Sequence, residues 1–287
     1  VVSASARADA HSEYGTLVNP RFSALLRAPS AWTVRFSAGT GAFAPTPFTE
    51  QTEVTGLRPL RAFGGLRAER ARSGSVDVGG AAGPFEINGT LFMSRITHAV
   101  IVRGIEGPPS ELELLNGGQP VRTAGADALL RHRTERSTTT LSYAYTHATE
   151  QPPDGVGRRD VPLTPAHAAG LVSVWEQHGR WRVGFEIYYT GSQLLDDNPY
   201  RAESPGYVLF GLLGERRVGR ARIFVNFENI GDVRMTKHHP LLRPTQGPGG
   251  RWTTDAWGPL EGRVINGGVR LDFGAGAGEG EPRDDGS

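Results

Sequence analysis

Apolar and polar residues alternate one by one along several stretches of the chain. In residues 32–39, Trp32, Val34, Phe36 and Ala38 share one parity, and Thr33, Arg35, Ser37 and Gly39 share the other. Residues 181–189 repeat the pattern, with Trp181, Val183, Phe185, Ile187 and Tyr189 against Arg182, Gly184, Glu186 and Tyr188. Leu141, Tyr143 and Tyr145 alternate with Thr140, Ser142 and Ala144. Ile223, Val225 and Phe227 alternate with Arg222, Asn226 and Glu228, with Phe224 interrupting the polar side. Successive side chains of a strand leave opposite faces, so each stretch is a strand with one greasy and one wet face.

The connections sort by length. Compact turns fall near Gly219, at His178-Gly179, around Arg133 to Arg136, at Ala81 to Pro84 and at Ala28 to Ser30. Between them come long polar segments rich in proline and glycine, about 40–66, 148–164, 192–205 and 231–259. An extended strand near 111–131 is expected to carry a kink or bulge at Asn116-Gly117-Gly118. The count is about twelve strands, the first running up and the last down. Short turns at one end and long loops at the other are the arrangement of bacterial membrane barrels. Trp32, Trp181, Phe185, Tyr143, Tyr145, Tyr189 and Tyr207 are expected toward strand ends, where amphipathic rings suit a bilayer interface. The rival readings are a soluble all-β binding module, with its apolar faces on a core, and a complete barrel acting as a passive channel.

Composition narrows the choice. No apolar run approaches the roughly 18 residues of a membrane helix, and the mean hydropathy of −0.35 is one to which alternating strands average out. Cysteine is absent, which excludes disulfides and thiolate metal sites. A net charge of +1 argues against a nucleic-acid partner. Val1-Val2-Ser3-Ala4-Ser5 lacks the basic start and apolar core of an export signal, so the chain reads as beginning internally or as processed.

Several motifs in order resemble the barrel of TonB-dependent outer-membrane receptors. Residues 20–50 are similar to two strands leading into a Phe-Arg-Ala-Pro element, written here Gly41-Ala42-Phe43-Ala44-Pro45 with alanine for arginine. Leu66-Arg67-Ala68-Glu69 resembles a Leu-x-x-Glu strand start, and Asn116-Gly117 before Gly125-Ala126-Asp127 an Asn-x-Gly then Gly-x-Glu strand. Pro165-Ala166-His167 matches a Pro-x-His strand entrance, and Asn226-Phe227-Glu228-Asn229-Ile230-Gly231-Asp232 the penultimate-strand element. Asn266, Gly268, Leu271 and Phe273 keep the spacing of the C-terminal signal read by the barrel-assembly machinery.

The resemblance implies an all-β fold: an antiparallel transmembrane β-barrel segment of about twelve strands, the C-terminal half of a barrel of about 22 strands, with the plug domain absent. Residues 1–273 would be barrel, and 274–287 a disordered tail of glycine and acidic residues. The implied activity is uptake of an iron-siderophore or similar scarce nutrient across the bacterial outer membrane. The implied partners are outer-membrane lipid and lipopolysaccharide, the barrel-assembly machinery, a metal-chelate substrate, and the TonB complex through the missing plug.

No enzyme signature or cofactor motif emerges. Asp196-Asp197 and Asp284-Asp285 are adjacent carboxylates, but neighbouring side chains diverge and both pairs lie outside strands. Gly247 to Gly250 lacks the strand-loop-helix context of a phosphate cradle. His238-His239 has no evident third metal ligand and reads first as a solvated loop pair. The same long loop carries Arg251, Trp252 and Trp257, which could pair with an anionic chelate and stack on a flat ligand. Arg251, Trp252, Trp257, His238 and His239 are therefore the substrate-contact candidates, with packing of the loop as the competing role.

The terminal pattern predicts that Phe273 serves assembly, because an edge strand must be paired or it aggregates. Deleting 274–287 should leave insertion unchanged or improved, while Phe273→Ser should lower it. Heat-modifiable, protease-resistant barrel in outer-membrane fractions measures both. Lost insertion on tail deletion with no effect of the serine would overturn the assignment.

Overall fold

Alternation begins at the first residues, where Val2, Ala4, Ala6, Ala8 and Ala10 interleave with Ser3, Ser5, Arg7, Asp9 and His11 to form β1 (Val2–His11). The computed structural model describes residues 1–29, 31–46, 59–61, 64–105, 111–153, 155–247 and 252–271. Next come β2 (Gly15–Arg27), β3 (Thr33–Phe43), β4 (Glu69–Ala82), β5 (Phe85–Thr97), β6 (Val100–Ile105), β7 (Glu111–Asn116) and β8 (Val121–Arg133). They are followed by β9 (Ser137–Glu150), β10 (Arg159–Asp160), β11 (His167–Gln177), β12 (Trp181–Thr190), β13 (Tyr207–Val218), β14 (Ala221–Glu228) and β15 (Val264–Leu271). One antiparallel sheet of 13 strands holds all of these except β6 and β7, which pair with each other. Its path β1-β2-β3-β4-β5-β8-β9-β11-β12-β13-β14-β15 follows chain order, and β10 pairs with the end of β9. Neighbours on the path thus follow one another along the chain, with only the β6–β7 hairpin and β10 interposed.

Register carries the alternation across the sheet. Val34 faces Val78, Phe36 faces Val76, Val76 faces Leu91, Leu91 faces Ala126 and Ala126 faces Tyr145. A second row runs Leu130, Leu141, Leu171, Ile187 and Phe210. All of these share one face. The other face carries the row Arg35, Asp77, Thr90 and Asp127. There Thr90 Oγ1 donates to Asp77 at 3.0 Å, and Arg182 bridges Glu176 at 2.8 Å. Among the described residues nothing covers the apolar face: Leu91 is 64% and Met93 65% exposed. So extended an apolar surface suits lipid, not water.

The turns are tight where Gly83, Gly179 and Gly219 adopt φ of +60°, +70° and +60°, a conformation glycine enters without a Cβ penalty. Tyr143, Tyr145 and Tyr189 lie on the apolar face toward the long-loop end, where the Tyr143 hydroxyl meets His167 Nδ1 at 2.7 Å. Trp175 and Trp181 flank the turn at the opposite end. Trp32 lies over Gly80, where a Cβ would meet its ring at under 3 Å.

The structure corrects four expectations. Residues 111–131 are not one bulged strand. Asn116 Nδ2 donates to the Arg67 and His98 carbonyls, Gly117 N donates to Ala99 O, and Pro120 has no N–H for the ladder. These bonds divert the chain into the β6–β7 hairpin, a further long connection between β5 and β8. The sorting of loops also has an exception, because only residues 12–14 join β1 to β2. Phe185 sits in mid-strand against Trp175, with ring centroids 5.4 Å apart. Tyr207 faces away from the lipid side, 6.1 Å from Trp257.

Leu91→Arg, in the middle of the apolar face, should destabilise the folded barrel by about 2–4 kcal/mol. Arg35→Gln, on the polar face, should cost little. Urea titration of the full-length protein refolded in lipid vesicles gives both values. Equal tolerance would contradict the sidedness.

Candidate functional site

The long-loop end is held by a small core of its own. Residues 191–206 after β12 fold back on themselves through the Leu194–Glu203 bridge and a Leu195 N–H to Ala202 O bond of 2.8 Å. Residues 229–247 and 252–263 do likewise through Leu242 and Thr253. The two loops close over Leu195, Met235 and Trp257, with Tyr207 and Leu241 packed against them. Gln193 locks them together, its Nε2 donating to Trp257 O at 3.0 Å while Ser204 Oγ accepts its backbone N–H at 3.1 Å.

Arginines clamp the margin. Arg159 bridges Glu150 at 2.9 Å and Asp196 at 2.7 Å, while Arg243 grips Asp197 with two nitrogens at 2.8 and 3.2 Å. The adjacent carboxylates therefore diverge to separate partners and form no acid–base pair. Asn229 and Asp232, at φ of +47° and +53°, build the exit from β14. Asn229 bonds both the N–H and the carbonyl of Val233, and Asp232 accepts from Arg263 N at 3.1 Å and pairs with Lys237 at 2.7 Å. The Lys237 hydrogen bond, the Arg263 N–H and nearby Arg234 hold the Asp232 carboxyl down at about 2. This turn is the physical content of the Asn-Ile-Gly-Asp motif.

The substrate-contact candidates divide on burial. Trp257 is 3% exposed and donates its indole N–H to Nε2 of His239, itself 6% exposed, at 3.0 Å. Tyr200 stacks on His239 with centroids 5.1 Å apart. Trp257 and His239 therefore pack the loop core. His238 is exposed and lies on the Trp257 ring, with centroids 5.5 Å apart, so it too leans on the loop core. Trp252 is 57% exposed and is a ring open to a ligand. Arg251 lies outside the described residues. Among the described residues no three His, Asp or Glu side chains gather as a metal site.

Nothing in the sequence marked three buried donors that have no partner among the described residues: Asn198 Nδ2, Arg201 Nε and His239 Nδ1. They belong to one neighbourhood, since Asn198 Oδ1 accepts from Tyr200 N and Arg201 N, and Tyr200 lies on His239. Asn198-Pro199-Tyr200-Arg201 looks like an ordinary loop in sequence, and only the fold brings it to His239.

On β15, Asn266 and Gly268 share the polar face and Leu271 the apolar one. Asn266 Nδ2 donates to Glu228 at 3.1 Å. A Cβ on Gly268 would meet the Phe224 ring at 2.8 Å, so the glycine seats the one aromatic that interrupts the polar side of β14. Phe273 and the tail 274–287 lie outside the described residues.

Burial, then Arg201 and His238, lowers the His239 pKa from its ordinary 6.5. Because the folded value is the lower one, the neutral ring's contribution is complete above 6.5 and is lost as pH falls below it. Protonation also removes the acceptor of the Trp257 N–H. Protease cleavage within 229–247 should therefore rise from pH 7.5 to 5.5, and His239→Gln should flatten the dependence. A pH-independent wild type would refute the coupling.

The model of the family "TonB dependent receptor-like, beta-barrel" matches residues 1–230. No curated protein matches the chain in sequence. Among solved structures, the FrpB iron transporter from Neisseria meningitidis superposes with a TM-score of 0.64 at 15% identity, over 89% of this chain and 39% of that one. The copper transporter OprC gives 0.66 at 17% identity, over 90% and 40%. A mutant ferric enterobactin receptor PfeA from Pseudomonas aeruginosa, in complex with enterobactin, gives 0.70 at 14% identity, over 93% and 42%. The chain thus spans about two fifths of the solved structures it matches. With the family model covering most of the chain and the sheet superposing on such barrels, this protein belongs to the TonB-dependent receptor β-barrel family, whose members are outer-membrane transport receptors and not enzymes.

Proposed function

We propose that this chain forms wall and outer loops of a bacterial outer-membrane receptor that takes up an iron-siderophore or similar anionic metal chelate, energised through TonB. The observation that carries the reading is the donor-rich patch at Asn198, Arg201 and His239 in a pre-formed loop cluster. Buried donors without partners are rare in folded proteins, and here they sit where a solute arrives from outside. A guanidinium edge with an amide and an imidazole N–H suits the oxygen donors of an anionic chelate. Exposed Trp252 adds a stacking surface on the same loop as His239. An iron transporter, a copper transporter and a ferric enterobactin receptor share this fold, which supports a metal or metal chelate as the cargo.

The proposal implies capture by the outer loops, then passage along the polar face once a periplasmic partner moves a plug. The chain itself would contribute the wall, the loops and the β15 assembly residues.

Uptake of a panel of radiolabelled ferric chelates by the full-length protein, in cells lacking their own receptors, tests the reading. Uptake should vanish without TonB, and Arg201→Gln should raise the half-saturating concentration roughly tenfold with the maximal rate kept. Uptake that persists without TonB and runs only down its gradient would favour a passive channel instead.

A further inference from the structure

The lipid-facing side of the sheet carries a row of arginines that the barrel wall does not need. Arg72 on β4 is directly opposite Arg95 on β5, which is directly opposite Arg122 on β8. The same register makes Arg72 a neighbour of Thr40 and Arg122 a neighbour of Thr149. All three arginines are exposed. Their parity is that of Val76, Leu91 and Ala126, so the three guanidinium groups leave the apolar face and not the polar one. Arg70 follows one step nearer the long loops on the same face of β4. Arg158 joins them from the loop after β9, donating to the Thr149 hydroxyl at 2.6 Å and the Thr149 carbonyl at 2.9 Å.

Two physical points make this arrangement informative. Directly opposed like charges destabilise an antiparallel pair, and here two such pairs are adjacent. Among the described residues the Arg70, Arg72, Arg95 and Arg122 side chains form no ion pair. Glu69 is on the other parity and accepts from Val100 N at 2.6 Å. On the arginine face the nearest carboxylate in register is Asp160, opposite Thr149 and therefore about 10 Å from Arg122. Among the described residues no carboxylate compensates the charge excess.

Depth is the second point. One step toward the short turns, the same face reads Gly74, Met93 and Ala124, and the next step reads Val76, Leu91 and Ala126. The arginines cap the apolar band at the long-loop end, which under the reading above is the outer leaflet. Opposed positions lie about 5 Å apart, so the row spans roughly 10 Å, room for more than one phosphate held bidentately.

We propose that Arg72, Arg95 and Arg122, flanked by Arg70 and Arg158, bind the phosphates of an outer-leaflet phosphorylated glycolipid, the lipid A portion of lipopolysaccharide. The site lies on the outside of the wall and is separate from the loop cluster that faces the solute. This inference rests on the outer-membrane placement proposed above.

The test is lipid retention by the full-length protein extracted from outer membranes. After exchange into micelles doped with diphosphoryl lipid A, dephosphorylated lipid A or phosphatidylglycerol, native mass spectrometry counts bound lipid. Wild type should retain diphosphoryl lipid A over its dephosphorylated form by about tenfold, and the triple change Arg72→Gln, Arg95→Gln, Arg122→Gln should erase that preference. Arg95→Gln alone should fall between, and Arg35→Gln on the polar face should leave retention intact. Equal retention of the two lipid A forms by wild type overturns the proposal, and that comparison stands even where the triple variant fails to assemble. Undiminished preference in the triple variant, stronger retention of phosphatidylglycerol, or full displacement by millimolar inorganic phosphate would overturn it as well. A protein missing from the outer-membrane fraction would instead refute the placement on which the inference rests.

Discussion

Backbone hydrogen bonding is the constraint from which the rest of this structure follows. Hydrocarbon offers no partner for an N–H or a carbonyl, so a chain that crosses it as strands must satisfy each group on a neighbouring strand. The path of sequential hairpins does this with the least connecting chain. Once the ladder is imposed, side chains can go only to two faces, and the register fixes which. A one-residue slip would turn Leu91 and Val76 to the polar side and Asp77 and Thr90 to lipid. No core among the described residues buries the apolar face, so the energy that fixes the register lies in the lipid.

That logic explains what the sequence disclosed. Strand number, order and sidedness are local properties: hairpins are read from alternation and a compact turn, with glycine in three of those turns. Compact turns at Gly83, Gly179 and Gly219 were visible because positive φ demands glycine there. The β6–β7 hairpin was not visible. Its segments Val100–Ile105 and Glu111–Asn116 carry strand-like residues, but the break after Asn116 depends on contacts to Arg67 and His98, far away in sequence. Phe185 and Tyr207 were misplaced for a related reason. Aromatic identity suggests an interface, whereas depth and face come only from the register.

The loop cluster was legible in composition and not in geometry. Trp257, His238 and His239 drew notice as chemically rich residues, yet what they do depends on which of them is buried. A loop with few apolar residues must build a core from whatever it has. Here one methionine, one leucine and one tryptophan do so, with His239 accepting the tryptophan N–H. Arg159 and Arg243 could not be selected from among 31 basic residues until the fold brought them to Asp196 and Asp197. The residues that hold the loops are thus mostly different from those that stand out in the sequence.

Arginine plays three roles in this protein, and position on the sheet decides among them. On the polar face, Arg182 and Arg222 find carboxylates one strand away, as a wet surface permits. In the loops, Arg159 and Arg243 are enclosed by carboxylates and lend rigidity, since a planar fork held at two points loses its freedom once and keeps its geometry. On the apolar face, at the rim of the lipid band, Arg72, Arg95 and Arg122 face one another with no anion among the described residues paired to them. A strand in water would shed such a row, because nothing offsets the repulsion. A strand whose neighbour is a leaflet of phosphorylated lipid has the missing anions supplied by its solvent, and the same row then anchors the wall at a fixed depth.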